Sequence, residues 1–231
     1  MLKIYGLQKM TLLDYPEHVA CTVFLNACNF KCPYCHNFEL VTGDAPPVME
    51  TEELYRFLDR RHGLLDGVAI TGGEPCLHPE LPELIRGIRD RGFGVKLDTN
   101  GCYPDMLRGL LAGKLVDYVA MDVKNSPARY AATVGLDRLD LTPVRESIAL
   151  LLSSDVEYEF RTTVVDELHS EEDFEEIGRM IRGAKRYFLQ AFTDRDTVPF
   201  DGLHAPRAEK MKSCLARVKP WVEAAELRGV D

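Results

Sequence analysis

The chain alternates short apolar runs with amphipathic stretches, and the alternation occurs six times. The first run, Ala20-Cys-Thr-Val-Phe-Leu25, is apolar and rich in β-formers, as a buried parallel strand is. After a turn at Asp44 to Pro47, Thr51 caps a stretch in which Leu54, Phe57 and Leu58 recur at i, i+3 and i+4, which predicts an amphipathic helix. Strand Gly67 to Thr71 precedes a helix carrying Leu81, Leu84, Ile85 and Ile88. Strand Val95 to Asp98 precedes a shorter helix, Met106 to Leu111. Strand Tyr118 to Asp122 leads through a long loop to a helix started by Thr142 and Pro143. Glu157 to Val165 precedes a helix opened by Ser170-Glu-Glu-Asp173, a capping-box pattern. The last pair is Tyr187 to Phe192 and a helix from about Arg207 to Lys219.

Six strand-helix units in a row call for parallel strands joined by right-handed crossovers, in an open doubly wound sheet or a barrel. Periodicity does not choose between the two. Both gather function at the C-terminal ends of the strands. The polar and unusual residues fall there: a cysteine loop after the first strand, Gly72-Gly-Glu-Pro75 after the second, Asp98-Thr-Asn-Gly101 after the third and Asp122-Val-Lys124 after the fourth. Four loops therefore point at one rim.

The length of 231 residues suits one α/β domain over 1–231, with a core about 18–195, and 45% hydrophobic residues can fill it. With 37 acidic against 28 basic side chains the net charge is -9. That sign argues against nucleic acid or an anionic membrane as the main partner. Met1-Leu-Lys-Ile-Tyr-Gly is no charged-then-apolar leader, and the chain carries no run of about 18 apolar residues, so the expected compartment is the cytoplasm.

The densest chemistry is Cys28-Asn-Phe-Lys-Cys32-Pro-Tyr-Cys35-His-Asn37, three thiols on one tight loop. A cubane [4Fe-4S] cluster usually takes four cysteines. No fourth lies close by, so one iron keeps free coordination sites, as a catalytic zinc keeps an open position. The competing arrangement is a Cys3His zinc knuckle using His36. Such knuckles usually pair a CxxC with a remote second pair, and adjacent Cys35 and His36 strain to reach one ion. A disulfide staple is disfavoured by an odd total of seven cysteines.

The Cys-x3-Cys-x2-Cys spacing, with the aromatic Tyr34 before the last cysteine, resembles the signature of the radical S-adenosylmethionine (radical SAM) superfamily. Tyr5-Gly-Leu-Gln-Lys-Met-Thr-Leu-Leu-Asp-Tyr-Pro16, together with Cys35-His-Asn37, resembles the opening of the glycyl-radical-enzyme activases. The nearest branch is that of anaerobic ribonucleoside-triphosphate reductase activating proteins, with pyruvate formate-lyase activating enzyme more distant. The resemblance implies a partial (β/α)6 TIM-like barrel with parallel strands. It also implies a [4Fe-4S] cluster on Cys28, Cys32 and Cys35, with SAM chelated at the open iron through its amino and carboxylate groups.

Glycines let a backbone approach a ligand closely. By resemblance Gly72-Gly73-Glu74 holds the SAM amino group, whose hydrogen bonds the Glu74 carboxylate can accept. Two aspartates on one rim repel unless a cation sits between them, and Lys124 or a bound ion can supply it. The resemblance assigns Asp98, Asp122 and Lys124 to the SAM carboxylate and ribose, with a monovalent cation between the aspartates. Arg161 is expected on the same ligand groups, or in a salt bridge to Glu159 or Asp122. Tyr34, His36, Asn100 and Gln190 complete the expected cofactor-binding set. Cys21, Cys76, Cys102 and Cys214 read as core or incidental thiols. Two positions depart from the family pattern: Glu17 stands where a glycine is usual, and Asn26-Ala27 where Gln-Gly or a similar pair is common. Both are expected where a partner peptide enters.

The implied reaction is reductive cleavage of SAM to methionine and a 5'-deoxyadenosyl radical, which takes a hydrogen from a glycine of a glycyl-radical enzyme such as anaerobic ribonucleotide reductase. A one-electron reductant such as flavodoxin or ferredoxin would feed the cluster. Two other readings stand beside it: a radical SAM enzyme of small molecules, similar to 7-carboxy-7-deazaguanine synthase, and a metal-binding protein without SAM chemistry.

Overall fold

Along each strand successive side chains point to opposite sides, which sorts them onto two faces of the sheet. The computed structural model describes residues 2–229. In chain order these form β1 (Lys3–Ile4), β2 (Gly6–Thr11), β3 (Ala20–Leu25), α1 (Phe38–Thr42), β4 (Met49–Glu50), α2 (Thr51–Asp59), β5 (Gly67–Gly72) and α3 (Leu81–Arg89). There follow β6 (Gly94–Thr99), α4 (Pro104–Ala112), β7 (Tyr118–Asp122), α5 (Tyr130–Thr133) and α6 (Thr142–Leu152). The chain ends with β8 (Glu157–Val164), α7 (Glu171–Met180), β9 (Tyr187–Ala191), α8 (Ala208–Val218) and β10 (Ala225–Arg228).

Eight strands make one sheet in the order β10-β9-β8-β7-β6-β5-β3-β2, and β1 pairs with β4 apart from it. Every neighbour in the large sheet is parallel except β2 with β3. The order follows the chain without the reversal that defines a doubly wound sheet. The topology therefore selects the barrel, left open between β2 and β10. Val68, Ile70, Val95, Leu97, Val119 and Met121 join one core with helical Leu54, Leu84, Ile88, Leu107 and Ile148. The opposite parity on β6, β7 and β8 carries Lys96, Asp98, Asp122, Glu159 and Arg161, so the inner face is charged.

Some expectations move. The cap of α2 is Glu50, in a capping box with Glu53, and Thr51 instead donates to Leu2 O from inside the first turn. Helix α6 begins at Thr142, with the Asp140 carboxylate accepting from the Thr142 N–H. The Ser170 to Asp173 capping box forms as expected. Strands β1, β2, β4 and β10 and the short helices α1 and α5 lie outside the six-unit pattern. No helix among the described residues is long and apolar enough to cross a membrane.

The antiparallel β2 runs from the rim to the opposite end of β3, because Gly6 pairs with Phe24 and Thr11 with Ala20. Glu17 therefore sits at the far end of the barrel from the cysteines, which corrects the expectation that it lines a partner's entry. Both departures from the family pattern have left-handed backbones, Glu17 at φ 64° and Ala27 at φ 59°. Such φ values favour glycine and strain other residues.

Candidate active site

The loop from Asn26 to Asn37 is long and irregular, so its shape has to come from outside contacts. Ala27 N–H donates to Leu40 O at 2.8 Å and Ala27 O accepts from Glu74 N–H at 2.8 Å. Lys31 N–H donates to Val134 O at 2.9 Å, and the Asn100 amide donates to Asn29 Oδ1 at 2.8 Å. The backbone also comes close at Gly135, where a Cβ would lie 2.3 Å from Lys31 O. The cysteines are thus held by the loops after β5 and β6 and by the chain after α5.

Gly72 and Gly73 take part in this clamp. A Cβ on Gly73 would lie 1.9 Å from Ala27 O, and one on Gly72 2.2 Å from Leu25 O. Their missing side chains let Gly73 N–H reach Leu25 O at 2.9 Å. The close approach expected toward a ligand is therefore made first toward the cysteine strand. The Glu74 carboxylate is buried, with Oε1 accepting from Cys76 N–H at 3.0 Å and Thr99 Oγ1 at 2.7 Å, and Oε2 from Asn100 N–H at 2.6 Å. Burial pushes this carboxyl above its ordinary pKa, against the pull of those donors. The side chain expected to meet an ammonium group lines the rim cavity and also ties two rim loops together.

A cavity of about 230 Å³ opens at the rim, and every residue expected at the site from the sequence lines it. Its wall combines Cys28, Cys32 and Cys35 with Asp122, Lys124 and Arg161. Gln190 closes it from the end of β9. The His36 ring stacks on Phe192 at 5.6 Å and its Nε2 lies 2.7 Å from Thr193 O, so the ring also fastens the cysteine loop to the β9 end. Cys76 and Cys102 lie outside the wall, as core or incidental thiols would.

The charged part of the wall is a chain of ion pairs. Arg161 Nη2 meets Asp98 Oδ2 at 3.0 Å and its Nε meets Asp122 Oδ1. Lys124 Nζ donates to Asp122 Oδ2 at 2.8 Å, and Lys96 Nζ pairs with Asp98 Oδ1. Glu159 is taken by Arg228 and Tyr118, which leaves Asp122 as the partner of Arg161 foreseen in the sequence. Burial works against both carboxylates, but Arg161 with Lys96 or Lys124 prevails and holds Asp98 and Asp122 below the usual range. Burial likewise opposes the charges of Lys124 and Arg161, and the aspartates hold both well above their ordinary values. The positive charge between the aspartates is thus a guanidinium, which corrects the expectation of a monovalent cation there.

Behind Lys124 stands His169, a residue the sequence did not single out. Val165 N–H donates to its Nδ1 at 3.1 Å, which leaves Nε2–H to donate to Lys124 O at 2.8 Å. Burial lowers the pKa of this imidazole and keeps it neutral.

The donor set fits an iron-sulfur cluster with SAM. Among the described residues no three His, Cys, Asp or Glu side chains converge on one ion position. Thiols spread around a cavity suit one iron each in a polynuclear cluster better than one zinc. Burial pushes the thiols up, to about 12 for Cys28 and about 11 for Cys32, so loading the loop releases protons. Tyr34 Oη in the same wall is buried with no hydrogen-bond partner, a polar atom that a bound group can satisfy.

The family model described as the Radical SAM superfamily matches residues 22–181. A Methanocaldococcus jannaschii protein provisionally named a glycyl-radical enzyme activating enzyme is 31% identical over 99% of this chain and 96% of its own. The pyruvate formate-lyase-activating enzyme of Clostridium pasteurianum is 30% identical over 54% of this chain and 53% of its own. Among solved structures, Streptococcus suis SuiB bound to S-adenosylmethionine superposes with a TM-score of 0.66 at 12% identity, covering 90% of this chain and 52% of SuiB.

Proposed function

The chain belongs to the radical SAM superfamily, and from that premise we propose that it is a SAM-cleaving activase that makes a glycyl radical on a partner enzyme. The observation that carries the reading is the meeting of three cysteine thiols with Asp122, Lys124 and Arg161 around one rim cavity. Cys28, Cys32 and Cys35 would hold a [4Fe-4S] cluster, which supplies the electron that splits SAM into methionine and the 5'-deoxyadenosyl radical.

In this reading the rest of the wall positions SAM. Lys124 and Arg161 carry the positive charge that a SAM carboxylate needs, and their own aspartate partners keep both ionised. Gln190 and Asn100 add neutral polar groups suited to a ribose. Glu74, in the wall, fixes the loop that carries Asn100, and His169, behind the wall, fixes the Lys124 backbone. Tyr34, buried at 5% exposure, closes the wall and keeps water from the reacting carbon. The full-length similarity to a relative named as a glycyl-radical enzyme activating enzyme favours a protein substrate.

The test is anaerobic. The chain reconstituted with iron and sulfide is mixed with dithionite, SAM and a glycyl-radical enzyme, and radical formation is read by electron paramagnetic resonance. The expected result is 5'-deoxyadenosine and a glycyl signal with wild type and neither with Cys32→Ala. SAM cleavage that responds to a small metabolite and to no protein would refute the activase role.

A further inference from the structure

Lys96 reaches the site only through Asp98. Its residue is 2% exposed, it does not line the cavity, and its one ion-pair partner among the described residues is Asp98. A lysine buried to that degree is costly unless its charge answers a specific need. The need is visible in the count of oxygens. Asp98 and Asp122 present four carboxylate oxygens to the barrel interior, and each already has a cationic partner: Lys96 and Arg161 on Asp98, Arg161 and Lys124 on Asp122. Every oxygen of the pair already faces a cationic nitrogen, so an alkali ion there would be crowded by three like charges and the site does not suit one.

The charge balance points the same way. Arg161 and Lys124 alone would neutralise the two aspartates; Lys96 adds one net positive charge, the same sum an alkali ion would give. A layer with that excess suits an anionic ligand group at its open end. Strand parity builds the arrangement, because Lys96 and Asp98 are two residues apart on β6 and so share its inner face. Ala69 on β5 stands beside Lys96 in register and takes little of the space.

We propose that the Lys96 ammonium on Asp98, together with the Arg161 guanidinium between the aspartates, does the work of a monovalent cation, so that the chain needs no sodium or potassium ion to hold Asp98 in place beside its ligand. The ligand clause rests on the SAM reading above; the structural clause does not. Lys96 acts through Asp98 and Arg161 and is a positioning residue.

The test compares wild type, Lys96→Ala and Lys96→Met, all as the full chain, in potassium, sodium and tetramethylammonium chloride at one ionic strength. Thermal melting needs neither cluster nor SAM. Wild type is expected to melt at the same temperature in all three salts. Lys96→Ala, with a space where the ammonium was, is expected to melt roughly 10 °C lower in tetramethylammonium. It should regain about 4 °C in potassium or sodium at ten times the ion's Kd. Lys96→Met fills that space without charge and should show no such rescue. A purely structural lysine would give the same loss in every salt, and that result, or a wild type that melts higher in alkali salts, would overturn the proposal.

SAM affinity of the reconstituted chain supplies the second readout. Equal wild-type affinity in the three salts upholds the proposal even if Lys96→Ala does not fold, and binding more than about threefold tighter in alkali salts overturns it. A chain that binds no SAM in any salt, yet keeps the melting pattern, counts against the SAM reading and not against Lys96.

Discussion

Glu74→Gln separates a carboxylate that clamps loops from one that touches a ligand. The change keeps the shape and removes the charge. In wild type the two oxygens accept three hydrogen bonds, from Cys76 N–H, Thr99 Oγ1 and Asn100 N–H, in a fully enclosed position. A glutamine has one carbonyl oxygen, so its NH2 must face either the Asn100 N–H or the pair on Oε1. Leaving one buried donor without an acceptor costs about 2 kcal/mol, and losing charge assistance on the other bonds about 1 kcal/mol more. A loss of about 3 kcal/mol lowers the melting temperature of a chain of this size by roughly 9 °C. Urea unfolding should give the same loss through its midpoint, with the slope unchanged. SAM affinity should fall as well, since Asn100 and the cysteine loop it holds both move. Melting within about 2 °C of wild type combined with a tenfold or greater loss of SAM affinity would refute the clamp and return the carboxylate to the ligand.

Two further outcomes follow from the backbone and from a buried imidazole. Ala27→Gly and Glu17→Gly should each raise the melting temperature by about 2 °C, because relief of a left-handed backbone outweighs the added freedom of the unfolded glycine; a fall in either would contradict the strain. His169 has a folded pKa below its unfolded value, so its contribution is present above about pH 6.5 and is lost as the pH falls through that value toward the folded one. The melting-temperature difference between wild type and His169→Gln should therefore shrink from pH 7.5 to 5.5, and a difference independent of pH would contradict a buried neutral imidazole.

The parts of this molecule that were legible in the sequence are those whose chemistry repeats with the backbone period. Val68 with Ile70, Val95 with Leu97, and Val119 with Met121 lie in short apolar runs bounded by polar loops, so six strands and their C-terminal loops could be placed. The edge strands could not. Gly-Leu-Gln-Lys-Met-Thr in β2 and Ala-Glu-Leu-Arg in β10 carry few core side chains, and pairing with β3 and β9 brings them in. Barrel and doubly wound sheet share one element pattern, so strand order had to come from the structure.

In the site, the three cysteines announced themselves by spacing, and four rim loops by their place after strands. What each side chain does there depends on reach. Glu74 turns to Thr99 and Asn100, twenty-five and twenty-six residues on, a partnership that no local pattern encodes. Asn29 in the cysteine loop meets Asn100 from 71 residues away. Lys96 left a usable signal: two residues from Asp98 on one strand, it had to share that residue's inner face.

Whether Cys28, Cys32 and Cys35 hold a cluster with one iron open to SAM can be read by electron paramagnetic resonance. The reconstituted chain is reduced with dithionite, and its spectrum is recorded with and without SAM. The expected result is a reduced [4Fe-4S] signal that changes when SAM is added, and its loss in Cys28→Ala, Cys32→Ala and Cys35→Ala. A chain that takes up zinc in place of iron, or a cluster signal indifferent to SAM, would contradict it.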